Sequence, residues 1–290
     1  MGLRLKFNLV LATVFIAGFL LAGAVSRELL QANARDEVIR DARLMMQVAI
    51  AVRTYTVEQI APHLIKQLDQ VFLPQTIPAF AATEAINTLR KTYPDYSYKE
   101  ATLNPTNPRD RTSDWEADVV NRFRQDAEVK EIVSERQSSI GRSMFIAKPI
   151  QISNPACLRC HSTPSAAPPT MLKIYGEANG FGWNLNEIIG AQVVTVPMEL
   201  PLKKADQAFT TFMVALAGVF FLAFLVLNVM LTLLIVRPIR RMSLAADRIS
   251  TGDFGEPEFS DKGRDEVAVL GSSFNRMRRS LEKAMQMIDS

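Results

Sequence analysis

The run Cys157-Leu158-Arg159-Cys160-His161 holds both cysteines of the chain and one of its two histidines. Two thiols three residues apart can each add to one vinyl group of a haem, and the histidine that follows sits where its imidazole reaches the iron. C-x-x-C-H therefore reads as a c-type haem attachment site, with Cys157 and Cys160 as thioether positions and His161 as proximal iron ligand. The competing readings of C-x-x-C are a redox dithiol and half of a zinc site. A structural zinc site takes four ligands, and no further cysteine exists to complete one. A thioredoxin-type dithiol opens a helix in a βαβ setting, whereas this pair lies in a Pro- and Ser-rich stretch from Asn154-Pro155 to Pro168-Pro169. One covalently attached haem c is the cofactor that remains.

Covalent haem attachment is expected outside the cytoplasm, and the chain carries the elements to place the motif there. Two uncharged apolar runs, Phe7 to Val25 and Phe209 to Val236, are each long enough to cross a hydrocarbon core as a helix. Arg4 and Lys6 precede the first, and Arg237, Arg240 and Arg241 follow the second. Basic residues mark the cytoplasmic flank, so both runs agree on one two-pass topology in the inner membrane. It comprises a cytoplasmic start (1–6), a first transmembrane helix (7–25), an exported segment (26–207), a second transmembrane helix (208–236) and a cytoplasmic tail. Ala22-Gly23-Ala24 resembles a signal-peptide cleavage site, but the apolar run exceeds the 7–15 residues of such a core, which favours an uncleaved anchor. The formal net charge of +3, with no Lys/Arg tract, excludes nucleic acid as the natural partner.

Within the exported segment, Leu44, Val48, Val52 and Tyr55 keep a helical period on a long helix from Glu28 to about Gln70. Pro62 falls inside it and predicts a kink or a new start just before His63. A helix over Ala79–Thr92 and a strand over Tyr96–Thr102 follow, then a helix to Asp126 opened by the Ser113-x-x-Glu116 capping box. Strands are predicted over Glu131–Arg136, Ser143–Ile150 and Gly190–Val196. Short mixed strands and helices after a long helix predict a small α+β fold of PAS-like type.

Separated blocks in Ala79–Pro201 carry a resemblance: Tyr93-Pro94-Asp95-Tyr96, Asn104-Pro105-Thr106-Asn107-Pro108, the C-x-x-C-H run with Ser162-Thr163-Pro164, and Gly190-Ala191-Gln192. Together they are similar to a cyanobacterial-type periplasmic sensor domain that binds one c-type haem, a resemblance extending more weakly over about 28–205. It implies a PAS-like fold, a single covalent haem and redox or ligand sensing. In that family the second axial ligand can be a cysteine of the N-terminal helical region; here neither cysteine is spare. His63, the other histidine, sits on the long helical segment and is the candidate distal iron ligand. Methionine is the rival donor among Met45, Met46, Met144, Met171 and Met198. Arg53, Arg142 and Lys148 are candidate propionate partners, and Tyr55, Phe145, Phe181 and Trp183 candidate walls for the macrocycle.

After the second span, Ile239, Met242, Ala246 and Ile249 are followed by a linker through Gly252. Val267, Leu270, Phe274, Met277, Leu281, Ala284 and Ile288 then repeat at 3, 4, 3, 4 spacing, the a/d signature of a coiled coil. Two such helices joined by a Gly-containing connector resemble a HAMP domain over 237–285, with 286–290 as the C-terminal end. The resemblance implies a parallel homodimer through the HAMP helices. No Gly-rich phosphate loop appears, so the chain is expected to be non-enzymatic and to act on a separate cytoplasmic partner such as a histidine kinase. The expected fold is thus an exported α+β PAS-like haem domain between two transmembrane helices, with a C-terminal α-helical HAMP coiled coil. The expected function is a transmembrane receptor; the alternative is a membrane-anchored electron-transfer cytochrome, which has no need of the HAMP segment.

Overall fold

In the computed structural model, which describes residues 2–68, 70–138, 141–255, 257–260 and 263–288, the chain divides into two compact units. One is Glu28–Ala208; the other combines Met1–Arg27 with Phe209–Ser290.

The first unit is built on a four-stranded antiparallel sheet in the order β1-β4-β3-β2, with β1 Ser97–Thr102, β2 Ile132–Ser138, β3 Gly141–Gln151 and β4 Ile188–Pro197. Alternation along the strands sorts the core into two layers. Tyr98, Met144, Ile146, Val194 and Val196 face one side, against α1 (Leu3–Tyr55) and α3 (Pro78–Leu89). Ala101, Phe145, Ala147, Ala191 and Val193 face the other, against Val119, Val120 and Phe123 of α4 (Asp114–Gln125). Phe123 is fully buried, a contribution of about 2–3 kcal/mol from its apolar surface. The Ser113–Glu116 capping box forms as the sequence predicts.

The face of α1 that packs on the sheet is not the stripe that marks it as a helix. Ala34, Val38, Ala42, Met45, Met46 and Ala49 are buried, whereas Leu44, Val48 and Tyr55 are exposed. Small alanines let the helix axis approach the sheet closely, and that close approach fixes the rotation of the helix about its axis.

Beyond Tyr55 the helix widens into a π turn, Thr56–Ile60, before the single turn α2 (Ala61–Leu64). The same construction recurs in the second long helix. There α7 (Glu199–Met230) passes through a π turn, Leu231–Val236, into α8 (Arg237–Ser250). A proline, Pro62 or Pro238, stands two residues after each π turn. It has no N–H to give, and its ring would collide with the carbonyl four residues back in a regular helix. The residue before it donates five residues back instead, Ala61 to Thr56 and Arg237 to Thr232. Each of those threonines also returns its hydroxyl to the carbonyl four residues earlier, at 2.7 Å. The break expected before His63 is thus a widened turn that keeps the helix running.

By length and composition, Leu3–Leu64 and Glu199–Ser250 are each able to cross a membrane. In the second unit Phe15 stacks on Phe220 at 4.9 Å. The helix α9 (Glu266–Ile288) follows α8, and Asn275 on it is buried, exchanging hydrogen bonds with the backbone N–H and carbonyl of Phe259 in the connector. Residues 256, 261 and 262 of the predicted HAMP span and 289–290 of the C-terminal end lie outside the described residues.

Candidate functional site

The C-x-x-C-H run is folded by local signals. Asn154 accepts the Ala156 N–H at 2.9 Å and Pro155 occupies the first helical position, which opens a 3₁₀ turn over Pro155–Cys157. That turn runs directly into α5 (Leu158–His161). Residues three and four apart share one face of a helix, so Cys157, Cys160 and His161 are presented together. All three are half-buried and line one cavity of about 340 Å³, within the size range of small-molecule and cofactor sites.

The imidazole of His161 is held on three sides. Its ring stacks on Trp183, with centroids 3.9 Å apart and planes 15° from parallel. Its Nδ1 lies 2.8 Å from the Gly180 carbonyl oxygen and 3.3 Å from Thr106 Oγ1. A carbonyl can only accept, so Nδ1 carries the proton and the neutral ring keeps its lone pair on Nε2. Burial pulls the His161 pKa below its ordinary value, opposed by the Gly180 hydrogen bond. The ring is thereby kept as a neutral nitrogen donor.

The rest of the lining is apolar with a charged end. Phe72, Ile77, Phe80, Ile150, Ile152, Met171 and Ile189 contribute walls, and the end of α1 with its π turn contributes Arg53, Val57 and Ala61. Glu100 also lines the cavity from β1 and is buried. Strand alternation explains its partners. Tyr98 and Glu100 face α1, where the carboxylate accepts hydrogen bonds from Tyr98 (2.5 Å) and from the Arg53 guanidinium. Lys99 points the other way and pairs with Glu116 of α4 at 2.7 Å. Burial works against the Arg53 charge, and the Glu100 carboxylate more than offsets it, so the pKa is raised. Burial and then Glu100 push the Tyr98 hydroxyl well above its ordinary range. Asp110 is pushed up to about 6 by burial and by Glu100, against the opposing pull of Arg109 and Lys99.

The structure brings Cys157, Cys160, His161, Arg53 and Trp183 to the cavity. His63 is exposed and is not among the residues lining it. Arg142 pairs with Glu135, and Lys148 lies 3.9 Å from Glu131, both outside the lining. Phe145 packs on Trp115 in the opposite sheet layer, Tyr55 is exposed, and Phe181 packs beside Cys160. Sequence reasoning missed Thr106, Arg109, Asp110 and Gly180. The dense Asn/Pro signal at 104–108 marked a loop but not the direction in which its side chains point.

A flat macrocycle joined to both thiols requires an apolar slot, a nitrogen donor and cationic groups near its acidic edge. The cavity offers all three, with Arg53, Arg109 and Arg159 among its lining residues. Among the described residues, no cluster of three or more His, Cys, Asp and Glu is placed to chelate a metal directly. The residues present therefore fit a haem.

The sequence pattern of the family described as Tll0287-like matches residues 31–197, and that of the HAMP domain matches residues 230–283. The "Heme sensor protein HssS" of Staphylococcus aureus, in strains JH9 and Newman alike, is 31% identical over 94 residues, 32% of this chain and 20% of the relative. The match thus spans about a fifth of the length of these relatives. The crystal structure of the cyanobacterial heme-protein Tll0287 superposes with a TM-score of 0.38 at 13% identity, covering 56% of this chain and 93% of that one.

Proposed function

Since the chain belongs to the Tll0287-like family and carries a HAMP domain after it, we propose that it is a transmembrane receptor whose exported domain holds one covalent haem c. The observation that carries this reading is a single helical turn that sets two thiols and a neutral imidazole on the wall of one apolar cavity. Thioethers to Cys157 and Cys160 would fix the group, His161 Nε2 would ligate its iron, and Arg53, Arg109 and Arg159 are available to its propionates. When bound, the haem supplies a one-electron couple or a binding site for a small ligand.

His63 is left off the iron in this reading because it is exposed and outside the cavity. Met171, 2% exposed, is the soft donor among the described lining residues beyond the motif. The sixth position therefore belongs to Met171 or to a small exogenous ligand. Met171→Leu decides between them by its oxidised and reduced absorption spectra, and His63→Ala is expected to leave both spectra unchanged.

Transmission uses the chain's own continuity. Arg53, Val57 and Ala61 form part of the cavity wall at one end of α1, and β4 enters α7 through the buried Met198, whose N–H is held by the Arg142 carbonyl at 2.9 Å. A change at the cavity would thus act on both membrane helices. It is relayed through HAMP helices that pair with a second copy of the chain, and it reaches a separate cytoplasmic partner. Moving such a two-state device from mostly off to mostly on takes about 5.5 kcal/mol of differential stabilisation.

The test is attachment. Full-length protein matured in cells competent for c-type haem should retain haem through acid–acetone extraction, and the double variant Cys157→Ala/Cys160→Ala should lose it. Extractable haem in the natural protein overturns covalent attachment, and no haem at all overturns the reading.

A further inference from the structure

The loop containing Asn104 and Thr106 comes to His161 from far along the chain and contacts it through Gly180. The Asn104 side chain grips the Gly180–Phe181 peptide on both sides: its Oδ1 accepts the Gly180 N–H at 3.2 Å, and its Nδ2 donates to the Phe181 carbonyl at 3.2 Å. Thr106 lies 3.3 Å from His161 Nδ1. Gly180 itself has φ +84°, and a Cβ there would fall 2.0 Å from Thr106 Oγ1 and 2.8 Å from Thr106 Cα. No side chain fits between the two loops, which is how the Gly180 carbonyl comes within 2.8 Å of Nδ1. The strand-like bonds Gly182 N–H to the Ser162 carbonyl (2.9 Å) and Trp183 N–H to the His161 carbonyl (3.2 Å) lock the same loop onto α5.

We propose that Asn104 and Thr106 are positioning residues for the iron-ligating imidazole, holding the Gly180 carbonyl on Nδ1 and so setting the ring's orientation and its donor strength toward iron. This rests on the haem reading above. An N–H···O=C bond on the far side of a ligating imidazole makes the nitrogen at the metal more basic, and outer partners of this kind commonly tune a metal site by an order of magnitude. A more basic ligand favours ferric iron. Loosening the carbonyl therefore raises the reduction potential.

The experiment uses the full-length, haem-loaded protein purified in detergent, with Thr106→Val, Thr106→Ser and Asn104→Ala beside the natural chain. Haem content by pyridine haemochrome, reduction potential by redox titration and the ferric EPR spectrum are read on each. The expected result is unchanged haem content, with the ferrous-to-ferric ratio at fixed potential raised about tenfold in Asn104→Ala and Thr106→Val, equivalent to 59 mV for one electron. Altered EPR g-values should accompany the shift, and Thr106→Ser should restore both. If Thr106→Val fails to accumulate, Asn104→Asp carries the same test, because it keeps the acceptor for Gly180 and loses only the donor to Phe181. Loaded variants with the natural potential and EPR spectrum overturn the positioning role and leave the haem reading standing. A natural chain that takes up no haem removes both.

Discussion

Glu100 is the residue on which the charged end of the cavity turns. From a strand position it holds the Tyr98 hydroxyl and the Arg53 guanidinium, and its side chain is only 4% exposed. Removing one partner of a buried pair strands the other charge. Arg53→Met is therefore expected to destabilise the exported domain by about 3 kcal/mol in denaturant titrations. The double change Arg53→Met/Glu100→Met should recover much of that loss, and a purely additive result would show that the pair is not coupled. Asp110 gives the opposite kind of pH dependence to a salt-bridged carboxylate. Its pKa rises from 3.8 to about 6 on folding. Below 3.8 it is protonated in both states and costs nothing; between 3.8 and 6 the unfolded chain ionises first, so stability falls as pH rises. Asp110→Asn should abolish a loss of about 3 kcal/mol across that window, measured as thermal midpoints of variant and natural chain from pH 4 to 7. At this scale the attachment motif was readable because its geometry is local, one helical turn written by Asn154, Pro155 and the cysteine spacing. Thr106 and Gly180 were not readable. They meet His161 from 55 and 19 residues away, and only the folded loops bring them there.

Among the elements, the strands were legible because each alternates between two buried layers, and Ala191 to Val196 carries that pattern in sequence. The rotation of α1 was not legible. Its large apolar residues Leu44 and Val48 announce a helix, but the sheet selects the alanine face. The widened turns belong to the same category. A threonine six residues before a proline, as in Thr56–Pro62 and Thr232–Pro238, attracts notice only when both copies prove to donate in the same five-residue pattern. An interior proline costs a regular helix about 3 kcal/mol, and the π turn is how that cost is reduced. Pro62→Ala should let 56–62 wind as α-helix, gaining on the order of 1 kcal/mol and slowing amide exchange over 57–62 by about tenfold. It should also turn Val57 away from the cavity wall. Unchanged exchange there would mean that Thr56, rather than the proline, sets the turn, and Thr56→Val would then be the effective change.

Across the whole molecule, the a/d seam predicted on the last helix is left without cover in a single chain: Leu270, Met277 and Leu281 are 50%, 48% and 44% exposed. If a second copy covers it, as proposed, single cysteines at 270, 277 and 281 should cross-link between chains in membranes, whereas one at the exposed position 276 should not. Equal cross-linking at all four would argue against a parallel pairing. The exported unit and the HAMP segment were both apparent from sequence, because each announces itself by period or motif. The unbroken passage between them was not, since the sequence marks the ends of an apolar run more clearly than the helix that outlasts it. That passage has a consequence for recombination. From Glu199 to Ser250 there is helix without a loop, 52 residues in a row. Every residue added or removed there turns all that follows by about 100°. Exchange of this sensor onto another receptor's output is therefore a question of phase: fusions that keep the seven-residue step should remain responsive, and those one or two residues out should lock in one state. Lineages that shuffle such modules are free to change almost any residue along this helix, but not their number.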